Sequence, residues 1–344
     1  MMRQASWVVR GVALVACSSS LQAAEPRTPA ECSGIADNTL RLACYDANFK
    51  KAPAAEGGAE PGQDAAAGPA GGGSLPADET PVGVRERAVR ELQSDWFAIT
   101  PYRTNYILPV TWRRNPNFDV YRSLDPSEAT GLEDTEAKFQ FSVQTLLWPE
   151  VLGSRIGLWG AFTLQSYWQV FAHDISAPFR ETNYEPELIA SMPLQTELGA
   201  GLRIRDVSLA LNHQSNGRTE PLSRSWNRII GRLSFERGNW GAYAKLWWRI
   251  PEDAKDDDNP HIERYMGQGE FGLAWKWGVH TFAGILKNNL RADNKSGLQL
   301  DWSFPLFAHL KGYLQGYIGY GENLIDGPYY SNRIGLGVML TDWF

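Results

Sequence analysis

The sequence predicts an all-β protein whose C-terminal part, residues 95–344, forms a twelve-stranded antiparallel transmembrane β-barrel. Three observations carry that prediction. Apolar residues make up 43% of the 344 positions, yet no run of about 18 uncharged apolar residues is present, so a mature transmembrane helix is excluded. Aromatic residues reach 12% beside 33 Gly and 20 Pro, a composition that favours strands and turns. Segment after segment then alternates apolar and polar residues with period two. The formal charge is −6 and there is no basic stripe, so binding of nucleic acid by phosphate neutralisation has little to work with.

The chain opens with a segment that reads as a secretory signal over residues 1–24. Arg3 and Arg10 precede the apolar run Val12–Ala16, and small residues lead up to Ala24. Leu14-Val15-Ala16-Cys17 also fits the pattern before a lipidated cysteine; cleavage near Ala24 is the reading kept. Residues 25–50 form a small segment holding Cys32 and Cys44. An even cysteine count in an oxidising compartment suggests a disulfide, and two buried thiols are the alternative. Because no histidine precedes His173, the pair does not imply a metal. Residues 51–94, rich in Ala, Gly and Pro, bury too little apolar surface to offset their ordering entropy and are read as a disordered linker.

From Asp95 onward the strands follow one another. Phe139, Phe141 and Val143 alternate with Lys138, Gln140 and Ser142, and Leu246, Trp248 and Ile250 with Lys245 and Arg249. Leu298, Leu300 and Trp302 alternate with Gln299, Asp301 and Ser303. Twelve strands are expected near 96–110, 136–149, 153–171, 185–195, 202–215, 224–236, 239–250, 262–277, 279–290, 295–305, 308–321 and 331–344. A soluble sandwich would also alternate. Charged residues in mid-strand, aromatic residues at strand ends and the terminal Phe344 favour a membrane barrel, whose closure leaves no strand edge unpaired in lipid. The long polar connectors 114–134, 173–184, 214–224 and 252–260 then become outer loops.

One hairpin breaks the pattern. In Asp206–Ser215 the odd residues Val207, Leu209 and Leu211 are apolar and face lipid, and His213 and Ser215 continue that register. In the next strand Ile229, Leu233 and Phe235 place Asn227 on the same side. Antiparallel partners share a constant sum of residue numbers, and 440 sets His213 opposite Asn227 across a loop centred on Glu220. These types suit a nucleophilic relay: Ser215 attacks, His213 takes its proton and Asn227 fixes the imidazole tautomer. An amide supplies no negative charge, so the developing oxyanion must be stabilised by something else, the Ser215 N–H among the candidates. The bland alternative is ordinary rim polarity, but polar groups on a lipid face are costly and mark functional sites.

Asn212-His213-Gln214-Ser215-Asn216-Gly217-Arg218, followed by Ser223-Arg224-Ser225-Trp226-Asn227-Arg228, resembles the signature of the bacterial outer-membrane phospholipase A family. Pro178–Pro186 and Gly337–Leu340 match two further blocks, and the likeness runs from about residue 95 to 344. The resemblance implies a calcium-dependent hydrolase of phospholipid acyl esters at either glycerol position, active as a homodimer in the outer membrane. It assigns Ser215, His213 and Asn227 as above. It places Ca2+ at the Arg218 carbonyl and the Ser223 hydroxyl, with the Ser176 carbonyl of a second subunit, and puts a further position of the unpaired form at Asp258. Glu220 and Gln214 stand where well-known members have Asp; Glu220 keeps a carboxylate for water-mediated help, and Gln214 faces the interior. The main alternative is a passive channel or porin. An outer-membrane protease would need acids and histidines converging at the barrel mouth, for which His261 beside Asp258 is a poor fit.

Overall fold

A computed structural model describes residues 32, 34–37, 39–41, 44, 80–93, 97–114, 116–122, 131–307 and 310–343. The chain divides into two units, residues 1–70 and 71–344. In the first, Cys32 and Cys44 form a disulfide, the simpler of the two cysteine readings. The signal segment, the choice between Ala24 and Cys17, residues 51–79 of the linker, and Phe344 lie outside the described residues.

The second unit is a closed antiparallel barrel. Its strands are β1 (Ile99–Pro101), β2 (Asn105–Arg113), β3 (Thr135–Trp148), β4 (Gly157–Trp168), β5 (Phe179–Gly199), β6 (Leu202–Ser215) and β7 (Ser225–Arg237), then β8 (Trp240–Ile250), β9 (Gly269–Trp277), β10 (His280–Asn288), β11 (Ser296–Phe307), β12 (Leu310–Gly319) and β13 (Ser331–Thr341). Strands β2 to β13 pair in chain order, and β13 closes on β2 through Ile334↔Trp112 and Leu336↔Val110. The expected twelve strands are present because β1 and β2 are one strand broken at 102–104. Both pair with β3 in nearly the same register. The Asn105 side chain patches the break, donating to Ser142 O at 3.0 Å and accepting from Ser142 N–H at 2.6 Å.

Alternation sets the two faces. On β6 Leu209 and Leu211 are 59% and 55% exposed on the outer wall, while Ala210 and Asn212 are buried. The same parity exposes Phe141, Trp248, Leu300 and Leu336. No helix among the described residues is long and apolar enough to cross a membrane, so the crossing is made by strands. Short turns join strands at one end, such as 200–201 and 278–279, and long connectors at the other, such as 114–134 and 251–268, as in outer-membrane barrels.

Three expectations need correction. Part of the presumed linker is a helix, α1 (Pro81–Leu92), with Thr80 as N-cap accepting from Gly83 N–H at 3.0 Å and Pro81 in its first turn. Its order comes from ion pairs and hydrogen bonds with the barrel, which a composition argument does not count. Arg85 donates to the Asp342 and Trp343 carbonyls at 2.7 and 2.8 Å, Glu86 pairs with Arg205, and Thr80 Oγ1 donates to Glu236 at 2.6 Å. The strand expected over 262–277 begins only at Gly269. Residues Ile262–Met266 are a short helix, ended by Gly267 at φ +83°, where an added Cβ would collide with the Asn288 carbonyl. Finally, β5 starts at Phe179, so the connector before it is shorter than 173–184.

Candidate active site

The site lies where β6 and β7 enter the 216–224 loop. The register pairs His213 with Asn227 and Ser215 with Ser225, as the constant sum of 440 requires. His213 is exposed on the outer wall, while its neighbours Asn212 and Gln214 point inward and are buried. These inward neighbours lock the hairpin from behind. Arg228 Nε donates to Asn212 Oδ1 at 2.9 Å and Trp226 Nε1 donates to Gln214 Oε1 at 2.8 Å. The Arg228 guanidinium also stacks 4.1 Å over the Trp226 ring and pairs with Glu185 at 2.9 Å. Gln214 thus serves the wall rather than the relay.

On the lipid side, His213 Nδ1 lies 2.9 Å from Asn227 Oδ1. An amide oxygen only accepts, so this contact puts the proton on Nδ1 and leaves Nε2 as the basic nitrogen. Asn227 Nδ2 donates in turn to Glu252 Oε1 at 2.7 Å, a partner that strand arithmetic did not reveal because Glu252 lies past the end of β8. Ser215 shares the face and is partly exposed, but its Oγ accepts the Gly217 N–H at 3.0 Å, and no hydrogen bond joins it to His213. The amide that meets this hydroxyl is therefore that of Gly217, not that of Ser215. Gly217 has φ +64°, and an added Cβ would sit 3.1 Å from the Tyr184 ring, so glycine suits both the turn and the contact.

The loop is strapped down. Asn216 Oδ1 accepts from Arg224 N–H at 3.0 Å, and Asn216 Nδ2 donates to Leu222 O at 2.8 Å. The Arg218 side chain donates to the Phe179 and Arg180 carbonyls at 2.8 and 2.7 Å. Asp258 accepts from Ser223 Oγ at 2.6 Å and from Ser225 N–H at 2.9 Å, and Asp257 pairs with Arg249 at 2.7 Å. The acidic run 256–258 is thus partly built into the structure, with only Asp256 at a solvated tip. Glu220 is exposed, and Ser176 is exposed in the β4–β5 loop at φ +58°. Asp258 is bonded to Ser223 and Ser225 and shares no hydrogen bond or ion pair with His261.

The described residues include no cluster of three or more His, Cys, Asp or Glu side chains able to hold a metal. What the rim offers instead is hard oxygen: the Ser223 and Ser225 hydroxyls, the Asp258 carboxylate and loop carbonyls. That set fits calcium better than a transition metal. A cavity of about 590 Å3 lies in the barrel bore among Arg103, Glu185, Arg232, Lys245 and Glu270. His213, Ser215 and Asn227 do not line it.

A closed barrel with an apolar outer wall and hydrolase-type side chains on its lipid face defines a class, the β-barrel enzymes of the bacterial outer membrane. The profile of the phospholipase A1 family matches residues 84–340. Phospholipase A1 of Klebsiella pneumoniae is 38% identical over 248 residues, covering 72% of this chain and 84% of that one. A putative phospholipase A1 of Neisseria meningitidis serogroup B is 30% identical over 355 residues, 92% of this chain and 91% of that one. Among solved structures, outer membrane phospholipase A from Escherichia coli superposes with a TM-score of 0.69 at 37% identity, covering 74% of this chain and 98% of that one. The Salmonella typhi outer membrane phospholipase, solved as a dimer with bound calcium, gives 0.67 at 37% identity over 72% of this chain and 94% of that one. The chain belongs to the phospholipase A1 family, and it is a phospholipase of the bacterial outer membrane.

Proposed function

We propose that Ser215, His213 and Asn227 form the catalytic relay of a calcium-dependent phospholipase that cleaves acyl esters at both glycerol positions and acts as a homodimer. The observation that carries this reading is the 2.9 Å contact between His213 Nδ1 and Asn227 Oδ1 on the lipid face, two residues from Ser215. With Nδ1–H committed to Asn227, Nε2 takes the Ser215 proton as Oγ attacks the ester carbonyl carbon. Turning toward His213 releases Oγ from the Gly217 N–H, which is then free to donate to the oxyanion. The C–O bond to glycerol breaks, His213 returns its proton to the leaving lysophospholipid oxygen, and the acyl-serine is hydrolysed by water activated by the same imidazole.

The Ser223 hydroxyl and the Arg218 carbonyl, with the Ser176 carbonyl of a second subunit, would hold calcium, which would supply positive charge to stabilise the developing oxyanion. Glu220 contributes through water, and Asp258 is the carboxylate for the unpaired chain. The oxygen-rich rim supports this assignment, as does the calcium-bound dimer of the Salmonella typhi relative. A single convex wall offers no groove for an acyl chain; two walls side by side do.

A passive channel would put its working residues in the bore, whereas the contact between His213 and Asn227 lies on the outer wall. Refolded full-length protein on mixed phospholipid vesicles should release fatty acid from both positions. A chelator should abolish the release, and calcium, not magnesium, should restore it. Release that is indifferent to chelation would overturn the calcium assignment.

A further inference from the structure

We infer that Glu252 is a positioning residue for hydrolysis, acting through Asn227; this rests on the relay proposed above. The side-chain amide of Asn227 can face His213 in two ways that differ by a flip. Only one presents Oδ1 to the imidazole N–H; the other sets amide N–H against it and turns Oδ1 to the far side. Glu252 lies on that far side. Its Oε1 accepts Asn227 Nδ2–H at 2.7 Å, so the flipped amide would put Oδ1 against a carboxylate and Nδ2–H against the imidazole donor. Two repulsions replace two hydrogen bonds, and the productive orientation is fixed.

The carboxylate also supplies charge. A relay that ends in an amide gives the forming imidazolium no anionic partner. A carboxylate bonded to the far side of that amide polarises it, and Oδ1 becomes a stronger acceptor. Asn227 and Glu252 in series thus do much of what a single aspartate would do.

The surroundings leave Glu252 available for this role. It follows the end of β8, where the register sets Ile250 opposite Asn227, and its side chain is only 19% exposed. Among the described residues, the cation paired with it is Arg249, whose Nη2 lies 3.5 Å from Glu252 Oε2 but makes its shorter pair, 2.7 Å, with Asp257. Oε1 is left to Asn227.

The test is a double-mutant cycle on refolded, heat-modifiable protein, with kcat and apparent KM measured on a phospholipid substrate. Glu252→Ala should lower kcat about tenfold with KM unchanged, the loss expected for one hydrogen bond to a charged group. Glu252→Gln, which keeps an acceptor oxygen without the charge, should lose less. In the Asn227→Ala background Glu252→Ala should cost nothing more, because the residue through which it acts is gone. A loss of equal size in both backgrounds would reveal a structural role, and full kcat in Glu252→Ala would show no role; either overturns the inference alone. Full activity of Asn227→Ala would overturn the relay itself, and the inference with it.

Discussion

Two polar regions of this barrel lie near the same rim and have opposite character. Inside the bore, Glu136, Arg180, Asp326, Arg333 and Glu322 are almost fully buried and bound to one another. Arg180 meets Glu136 and Asp326 at 2.8 Å each, and Arg333 meets Glu136 at 2.8 Å and Glu322 at 2.6 Å. On the outside, His213, Ser215 and Asn227 are few, partly exposed and lightly bonded. The inner groups have partners on several strands; the outer ones have few partners, as the proposed relay requires. Polarity by itself therefore does not mark a site in a membrane barrel. Polarity on the wrong face, with unused bonding capacity, does.

Substitutions should separate the two regions. The largest effect is expected from Ser215→Ala, which should lower phospholipid hydrolysis by about 10⁴-fold or more while the electrophoretic shift on heating stays that of the folded barrel. Next, Arg180→Ala removes a buried cation shared by Glu136 and Asp326, leaving them to Arg333 and Arg113, and should cost about 3 kcal/mol of folding free energy, read as a lower urea midpoint in lipid. If Arg180→Ala folds normally but is inactive, the division between a structural interior and a chemical exterior fails. The smallest effect concerns acid. Burial alone would raise the Glu322 carboxyl, but Arg333 and Lys138 hold it down at about 2. Its folded value lies below its unfolded one, so its contribution is complete above the ordinary carboxylate range and fades only as pH falls through about 2. Glu322→Gln should therefore narrow the gap in thermal midpoint from wild type as pH drops from 5 toward 2.

The sequence foretold the barrel and the pairing of His213 with Asn227 because both rest on period two and a constant sum, which the backbone of a sheet enforces. Helix α1 escaped because its stability comes from Arg85, Glu86 and Thr80 meeting residues more than a hundred positions away, except for Tyr102. Residues 262–266 misled because a short helix and a strand can carry the same few apolar positions. Glu252 was not legible since the path of a loop beyond the last ladder pair is not set by register. The resting contact of Ser215 with Gly217 was hidden for a related reason: a side-chain rotamer depends on the turn that follows.

The most direct measurement is covalent labelling of folded protein by an organophosphorus ester, followed by peptide mass spectrometry. The account predicts a single adduct on Ser215, lost together with activity in His213→Ala and much reduced in Asn227→Ala. An adduct on another residue, or undiminished labelling of Ser215 without His213, would contradict it.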